Sequence, residues 1–384
     1  MKTFFSFLTT ATLAFTVAGC SGDDASFDFK VSRVASAGNG HTCNVRYNGT
    51  IACWGQNGHG QLGDGSKKGS KVPIQVAPDP VWVSVASGSR HTCALRNDSW
   101  LWCWGWNEHG QLGTGSNQDQ YQPLLTGAGS RWTQIAAGGV HSCAIRDDGT
   151  LWCWGNNNHG QIGNGSGGIE EDKVFSPEQI GDATTWASIA AGEGHSCGLR
   201  TDGSLWCWGN NSDGQIGDNT TIHPNTPQEI AAGSTWRSVD TGDFHTCAIR
   251  TDGSLWCWGF NQFGQLGDNT TTRSLAPTRI GEQEDWLAVE LGDFHTCARR
   301  LDQSIWCWGS NAYGQLGDGT VFELQKVPVQ TTSENRWIDL TAGNDHTCGL
   351  WDDESLWCWG RNDYGQLGDD SKVNRSLPIS VDYQ

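Results

Sequence analysis

The stretch WTQIAAGGVHSCAIRDDGTLWCWGNNNHGQIG, residues 132–163, recurs with small changes seven times along this chain of 384 residues. Every copy contains a His-Ser/Thr-Cys motif and a second cysteine ten residues after the first. The motif histidines are spaced by 50 to 54 residues: His41, His91, His141, His195, His245, His295 and His346. A unit of this length cannot bury its own apolar side chains, so it must pack against copies of itself.

Four short segments of each repeat alternate in polarity or end in turn residues, which indicates four strands. In the third repeat they are residues 132–138, 141–146, 151–155 and 177–180. The last contains Pro177, which suits an edge strand because proline has no N–H to donate. Seven such units predict an all-β fold, a seven-bladed β-propeller of four-stranded antiparallel blades spanning 29–384. An open solenoid is the alternative, but no capping repeat is evident.

The composition is strongly acidic, with 42 Asp and Glu against 24 Lys and Arg and a formal net charge of -18. Such a charge repels phosphate backbones, so no nucleic-acid partner is expected. The sequence contains no phosphate-binding loop, nucleophile elbow or zinc-binding helix motif. We therefore expect no catalytic residue, no cofactor and no metal site, and a monomeric protein.

The amino terminus has the proportions of an export signal, with Lys2 followed by an apolar and hydroxyl-rich stretch over residues 4–17. Val17-Ala18-Gly19-Cys20 resembles the lipobox of bacterial lipoproteins, in which cleavage precedes a cysteine that becomes acylated. We expect a signal peptide over 1–19, a lipidated Cys20 and a polar tether over 20–28. The protein would then be exported to the bacterial cell envelope and anchored to a membrane by lipid. An ordinary signal peptide with a chance cysteine is the alternative.

Fourteen of the fifteen cysteines form seven equivalent pairs, and Cys20 is left over. A three-residue turn ending in Gly149 would pair Arg146 with Thr150, and the same register sets Cys143 opposite Cys153. We therefore predict seven cross-strand disulfides, each contributing about 2 to 3 kcal/mol. A zinc site using His141 with both cysteines is the alternative. The predicted pairs are Cys43 and Cys53, Cys93 and Cys103, Cys143 and Cys153, Cys197 and Cys207, Cys247 and Cys257, Cys297 and Cys307, and Cys348 and Cys358.

Residues 136–163 resemble the repeat of the regulator of chromosome condensation family of seven-bladed propellers. The shared pattern is Ala-Ala-Gly-x-x-His-Ser, then Asp-Gly-Thr-Leu, then Trp-Gly-x-Asn-x-x-Gly-Gln-Ile-Gly. The resemblance implies the fold and, for the repeated histidine, a structural role. Guanine nucleotide exchange, the activity of the eukaryotic founder, is not expected of an exported acidic lipoprotein. The cysteine pairs depart from the family pattern.

The differences between repeats fall on loops that the alternating strand directions place on one face. We expect six aromatic residues there to cluster over blades 5 to 7 and bind a partner: Phe244, Phe260, Phe263, Phe294, Tyr313 and Tyr364. His59, His109 and His159 share one position on three consecutive blades, and a neutral polar rim is expected there in preference to a shared metal site. Acids such as Asp64 and Asp218 follow glycine and are interpreted as turn formers, with calcium binding as the alternative.

Together these features predict a lipid-anchored envelope propeller that binds a protein through one variable face. Two alternatives use the same face: a glycan receptor, and an exported enzyme with a site at the mouth of the central channel. The first blade has Ala52 in place of a tryptophan and no tryptophan in its first strand, which predicts a looser ring closure near the termini.

Replacing Cys20 with Ser should release the protein from the membrane fraction or leave an uncleaved precursor. Membrane fractionation and mass spectrometry of the mature amino terminus measure this. A Cys20→Ser protein that still fractionates with the membrane, together with a wild-type amino terminus that carries no acyl mass, would disprove lipidation.

Overall fold

The computed structural model describes residues 35–79, 81–168, 172–331, 337–381 and 383. In this part of the chain, 28 strands form seven antiparallel sheets, each built from four consecutive strands in sequence order. These sheets are the blades of the predicted seven-bladed β-propeller, which is therefore confirmed. Cys20 and the rest of residues 1–34 lie outside the described residues. Those described include no helix that could cross a bilayer.

The four strand positions repeat from blade to blade. The first, innermost strands are Ala35–Ala37, Trp82–Ser87, Trp132–Ala137, Trp186–Ala191, Trp236–Thr241, Trp286–Leu291 and Trp337–Ala342. The second are His41–Val45, His91–Arg96, His141–Arg146, His195–Arg200, His245–Arg250, His295–Arg300 and His346–Trp351. The third are Ile51–Gly55, Leu101–Gly105, Leu151–Asn156, Leu205–Gly209, Leu255–Gly259, Ile305–Gly309 and Leu356–Gly360. The fourth are Ser70–Gln75, Gln120–Thr126, Lys173–Gln179, Gln228–Ile230, Ser274–Arg279, Gln325–Gln330 and Arg375–Ser380.

The second and third strands form a tight hairpin with the register that the turn sequence predicts. Gly149 has a φ of 77°, which favours glycine, and Cys143 lies directly opposite Cys153. The two Cα atoms are 4.1 Å apart and the sulfurs are bonded. The equivalent disulfide is present in all seven blades.

The apolar core lies between the blades. Trp154 is fully buried and packs with Cys93 and Leu112 of the preceding blade. Cys153, on the opposite face of the same strand, packs with Trp208 of the following blade. Each blade therefore packs its tryptophan face against the cysteine face of its neighbour. Trp152 is only partly buried and lies 3.5 Å beneath the Arg146 guanidinium.

A repeated polar contact holds neighbouring blades together inside this core. His141 Nε2 lies 2.8 Å from the Ser196 hydroxyl of the next blade, which donates over 2.9 Å to the Gln161 carbonyl. The Trp208 indole N–H donates to the same carbonyl over 2.9 Å. The contact recurs at all seven interfaces, with His-to-hydroxyl distances of 2.8 to 3.0 Å.

This contact fixes the protonation of the histidine. The Ser196 hydroxyl has one hydrogen, which it gives to the Gln161 carbonyl, so His141 must donate from Nε2. Burial disfavours the charged ring and lowers the pKa of His141 to about 4 and that of His195 to about 3. The seven motif histidines are therefore neutral, and they have the structural role that the family resemblance implies.

The ring closes between the last and first blades by the same contact, with no exchange of strands among the described residues. His346 Nε2 lies 2.8 Å from the Thr42 hydroxyl, and Trp54 donates to the Gln366 carbonyl over 2.9 Å. Tyr383 occupies the position left by the missing tryptophan of the first strand. Its ring lies edge-on to Trp54 at 6.4 Å.

Two polar contacts hold Tyr383 in that position. The Arg46 guanidinium stacks over the Tyr383 ring at 4.2 Å, as the Arg146 guanidinium does over Trp132 at 5.1 Å. The Tyr383 hydroxyl donates to the Asn44 side chain over 3.0 Å. A side chain from the carboxyl terminus thus completes the first blade. The prediction of a looser ring closure considered only the missing tryptophans of the first blade and did not include this contact.

The zinc alternative lacks its ligands in this geometry. Cys143 and Cys153 are bonded to each other, and His141 Nε2 is occupied by Ser196. Under denaturing, non-reducing conditions, alkylation should therefore modify none of the fourteen paired cysteines, and metal analysis should find no zinc. Fourteen alkylated thiols, or seven zinc ions in protein taken directly from its native compartment, would contradict the disulfide assignment.

The buried histidines make stability depend on pH with a defined sign. Because the folded-state pKa of His141 is about 4 and the unfolded value is about 6.5, the unfolded chain gains a proton first, and stability falls as pH falls below 6.5. His141→Gln removes one such group. Between pH 7 and pH 5 the variant should lose about 2 kcal/mol less free energy of unfolding than the wild type. Urea unfolding of the oxidised protein measures this, and parallel pH curves would contradict it.

Candidate functional site

Two sets of loops meet on one face of the ring. They join the first strand to the second, and the third strand to the fourth, and we call their surface the variable face. Main-chain hydrogen bonds tie the two sets together in each blade, such as Phe260 N to Phe244 O at 3.0 Å and Arg361 N to Asp345 O at 2.9 Å. The side chains of these loops differ between blades, but the same main-chain hydrogen bond forms in every blade whichever side chains are present.

An asparagine that is present in all seven blades, and an aspartate that is present in five of them, build the longer loop. Asn211 accepts from the backbone N–H of Ile216 over 3.0 Å and donates to Asp218 over 3.1 Å. Asp218 accepts from the backbone and hydroxyl of Thr220. The recurrent acids are therefore turn formers, and their oxygens are engaged within the loop. Among the described residues, no group of three or more histidine, cysteine or acidic side chains is arranged to hold a metal ion.

Four of the six predicted aromatic residues form one cluster between blades 5 and 6, which we call the Phe cluster: Phe244, Phe260, Phe263 and Phe294. Phe294 is its centre, with ring centroids 4.8 Å from Phe263 and 5.6 Å from Phe244. All four side chains are partly exposed. The cluster thus presents aromatic surface to solvent while its rings support one another.

The two predicted tyrosines lie elsewhere on the same face. Tyr313 is covered by the Arg361 guanidinium, 4.9 Å from its ring centroid, and Arg361 in turn bonds Asp345 at 3.2 Å. Tyr364 is 39% exposed and lies against Gly40 of the first blade. Each side chain at this loop position leans towards the following blade, so the tyrosines mark the next two interfaces and make no ring contact with the Phe cluster.

The three histidines of the first three blades do not converge on one point. His59 bonds Asp119 at 3.0 Å, His109 lies edge-on to Trp106 at 5.0 Å, and His159 lies 5.4 Å from His223. Burial and the neighbouring His223 lower the pKa of His159. These contacts form a polar rim and not one shared site.

Two further features of this face were not singled out from the sequence. Trp106 is partly exposed and flanked by His59, His109 and Arg90, and its place after Trp-Gly could have identified it. Apolar side chains also project from the long loops of three blades: Ile222 is 74% exposed, Phe322 82% and Val373 58%. The sequence pattern that could have identified these three residues is an apolar residue four positions after the turn-forming acid.

The central channel opens among the first set of loops and has a volume of about 220 Å³. Its wall consists of the innermost strands, with small residues such as Ala86 and Ala136 on one side. Polar side chains of these strands also join blades: Asp240 accepts from Leu291 N over 2.8 Å, and Ser36 accepts from Ser87 N over 2.8 Å. The opposite wall is acidic.

The fold and this site define a closed seven-bladed propeller with one constant scaffold and one variable face. The profile of the RCC1-like domain matches residues 133–383, and regulator of chromosome condensation repeats match residues 48–95 and 99–145. The chain belongs to the RCC1-like domain family.

Solved structures with the same fold include human WBSCR16, at 22% identity with a TM-score of 0.79, covering 87% of this chain and 94% of that one. Prp20p from Saccharomyces cerevisiae has 20% identity and a TM-score of 0.77, covering 88% of this chain and 87% of its own. A short stretch of 39 residues is 44% identical to the X-linked retinitis pigmentosa GTPase regulator homolog of Caenorhabditis elegans. That match spans 10% of this chain and 3% of the relative.

Proposed function

We propose that this protein is an exported, lipid-anchored scaffold of the bacterial cell envelope that binds a protein partner through its variable face. The observation that carries the proposal is the Phe cluster. Four partly exposed aromatic rings on two adjacent blades stand on a backbone that does not need them, because other blades have small or polar residues at the same positions.

Aromatic side chains are enriched among the residues that dominate the energy of protein interfaces. Phe260 occupies the position of Asn156 and Asn210, and Phe244 that of Gly40 and Gly194. Since the scaffold folds with either kind of residue, burial within the propeller does not explain the phenylalanines. We attribute the phenylalanines to contact with a partner.

The fold is compatible with this role. Prp20p, which has the same fold, is described with binding properties to Gsp1p and histones. The proposal takes from that protein only the use of a propeller as a protein-binding surface. The partner here would be met outside the cytoplasm, since seven disulfides favour an oxidising compartment.

Phe294→Ala should weaken partner binding by about 1 to 3 kcal/mol, because it removes the ring that contacts the other three. Phe244→Ala and Phe263→Ala should act in the same direction. The measurement is quantitative cross-linking capture from intact cells, followed by titration of the captured protein against each purified variant. Thermal unfolding of each variant checks that the fold is retained.

Asp202→Ala and Asp252→Ala are the controls, because these turn residues lie on the opposite face and bond only within their own hairpins. Both should bind the partner as the wild type does, with at most a loss of stability. Normal binding by the Phe variants with loss of binding by the controls would assign the site to the opposite face. Unfolding of the Phe variants would show that the rings are structural.

A further inference from the structure

The acidic wall of the channel belongs to the same blades as the Phe cluster. Asp240 and Glu290 occupy the strand position that is Ala86, Ala136 and Ala190 in blades 2 to 4. At the channel mouth, the residue two before the motif histidine is acidic in blades 4 to 6 and neutral in the others. These mouth residues are Glu193, Asp243 and Asp293, against Asn39, Ser89, Gly139 and Asn344.

Glu193 shows that the mouth is shaped around these carboxylates. Its side chain passes over Gly139 of the preceding blade and accepts from the Ser89 hydroxyl of the blade beyond at 3.1 Å. A Cβ at Gly139 would lie on the Glu193 carboxylate, so any larger residue there would force that carboxylate to move. The acidic group of one blade thus extends across the mouth.

Some of these acids have cationic neighbours. Arg361 bonds Asp345, Arg299 faces Asp339, and Arg90 faces Glu193. These pairs lie at the edge of the acidic region and neutralise only part of it.

Four of the described carboxylates have no cationic neighbour: Asp240, Asp243, Glu290 and Asp293. The charged groups around Asp243 and Asp293 are each other, Glu193 and Asp345, and those around Glu290 are Asp240 and Asp339. Burial, with repulsion from Glu193 and Asp345, raises the pKa of Asp243 to about 7, although a hydrogen bond with Asp293 acts in the opposite direction. Burial, with repulsion from Asp240 and Asp339, raises the pKa of Glu290 well above its usual range. Within the described part of the chain, the acids at the centre of the site lack the counter-charge that such groups ordinarily have.

The surroundings indicate the kind of cation that would supply it. Phe244 and Phe294 directly follow Asp243 and Asp293 in the chain, so the loops that carry these carboxylates also carry two rings of the Phe cluster. Lysine and arginine side chains combine an apolar stem with a charged head, and either can pack on an aromatic ring while the head reaches an acid. The channel volume of about 220 Å³ is well above the roughly 10 to 15 Å³ that holds one water, so it has room for such a head.

Building on the proposed protein-binding function, we propose that the channel mouth beside the Phe cluster receives a lysine or arginine side chain of the partner. An apolar residue next to that side chain lies on the Phe cluster. The net charge of -18 attracts a basic surface from a distance, and the mouth fixes its register.

The test uses the purified, oxidised protein and an unbiased phage-displayed peptide library. Selected peptides should contain lysine or arginine beside an aromatic or aliphatic residue. Replacing that basic residue with glutamine should weaken binding at least about tenfold. The double variant Asp243→Asn/Asp293→Asn should lose a similar amount of affinity for the selected peptide. It should bind that peptide and its glutamine-substituted version with the same affinity.

The matched control is Asp147→Asn/Asp352→Asn, which makes the same two substitutions at exposed turns of the opposite face. It should leave binding within about twofold of wild type at 0.15 M salt, where long-range attraction is screened. Selected peptides without a basic residue, or unchanged binding by Asp243→Asn/Asp293→Asn, would overturn the inference. Calcium titrated by calorimetry that binds at the mouth and displaces the peptides would also overturn it, in favour of a metal site.

The same variants separate this inference from the proposed function. If Phe294→Ala loses the cross-linked partner and Asp243→Asn/Asp293→Asn keeps it, the variable face binds a protein but the mouth does not receive its cation. If both variants keep the partner, the proposed function itself is wrong.

Discussion

The ring depends on one hydroxyl group at each blade interface. Ser196 accepts from His141 and donates to the Gln161 carbonyl, so one side chain satisfies two buried polar groups of the preceding blade. Leaving such a group unpaired in the core costs about 1 to 3 kcal/mol. Since the contact occurs seven times around a closed circle, a wrong number of blades or a wrong register would leave buried groups unpaired.

This constraint separates the residues that build the protein from those that can vary. The histidine, hydroxyl, glutamine and tryptophan of each repeat face the neighbouring blade, and the asparagine and acid of the long loop bond within that loop. The side chains of the variable face that differ between blades make no contact that recurs in every blade. Glycine, arginine, valine, phenylalanine and aspartate therefore all occur before the motif histidine, each in its own blade on the same type of scaffold.

Local patterns predicted most of the fold. The turn at Gly149 set the cysteine register, and the recurring motif set the number of blades. The Phe cluster was predictable because three of its members belong to one repeat. The separation of Tyr313 and Tyr364 was not, because it depends on side chains leaning towards the following blade. Tyr383 has no counterpart in any repeat, so only the closed ring reveals its partner.

The position of Tyr383 has a consequence for biosynthesis. Tyr383 follows Asn44, its partner in the first blade, by 339 residues, so an emerging chain holds an unfinished first blade until that tyrosine has been made. Cross-strand disulfides join cysteines only ten residues apart, so each can form as soon as its own hairpin has emerged. The covalent bonds can therefore form in chain order, whereas the first blade is completed only when residue 383 is available.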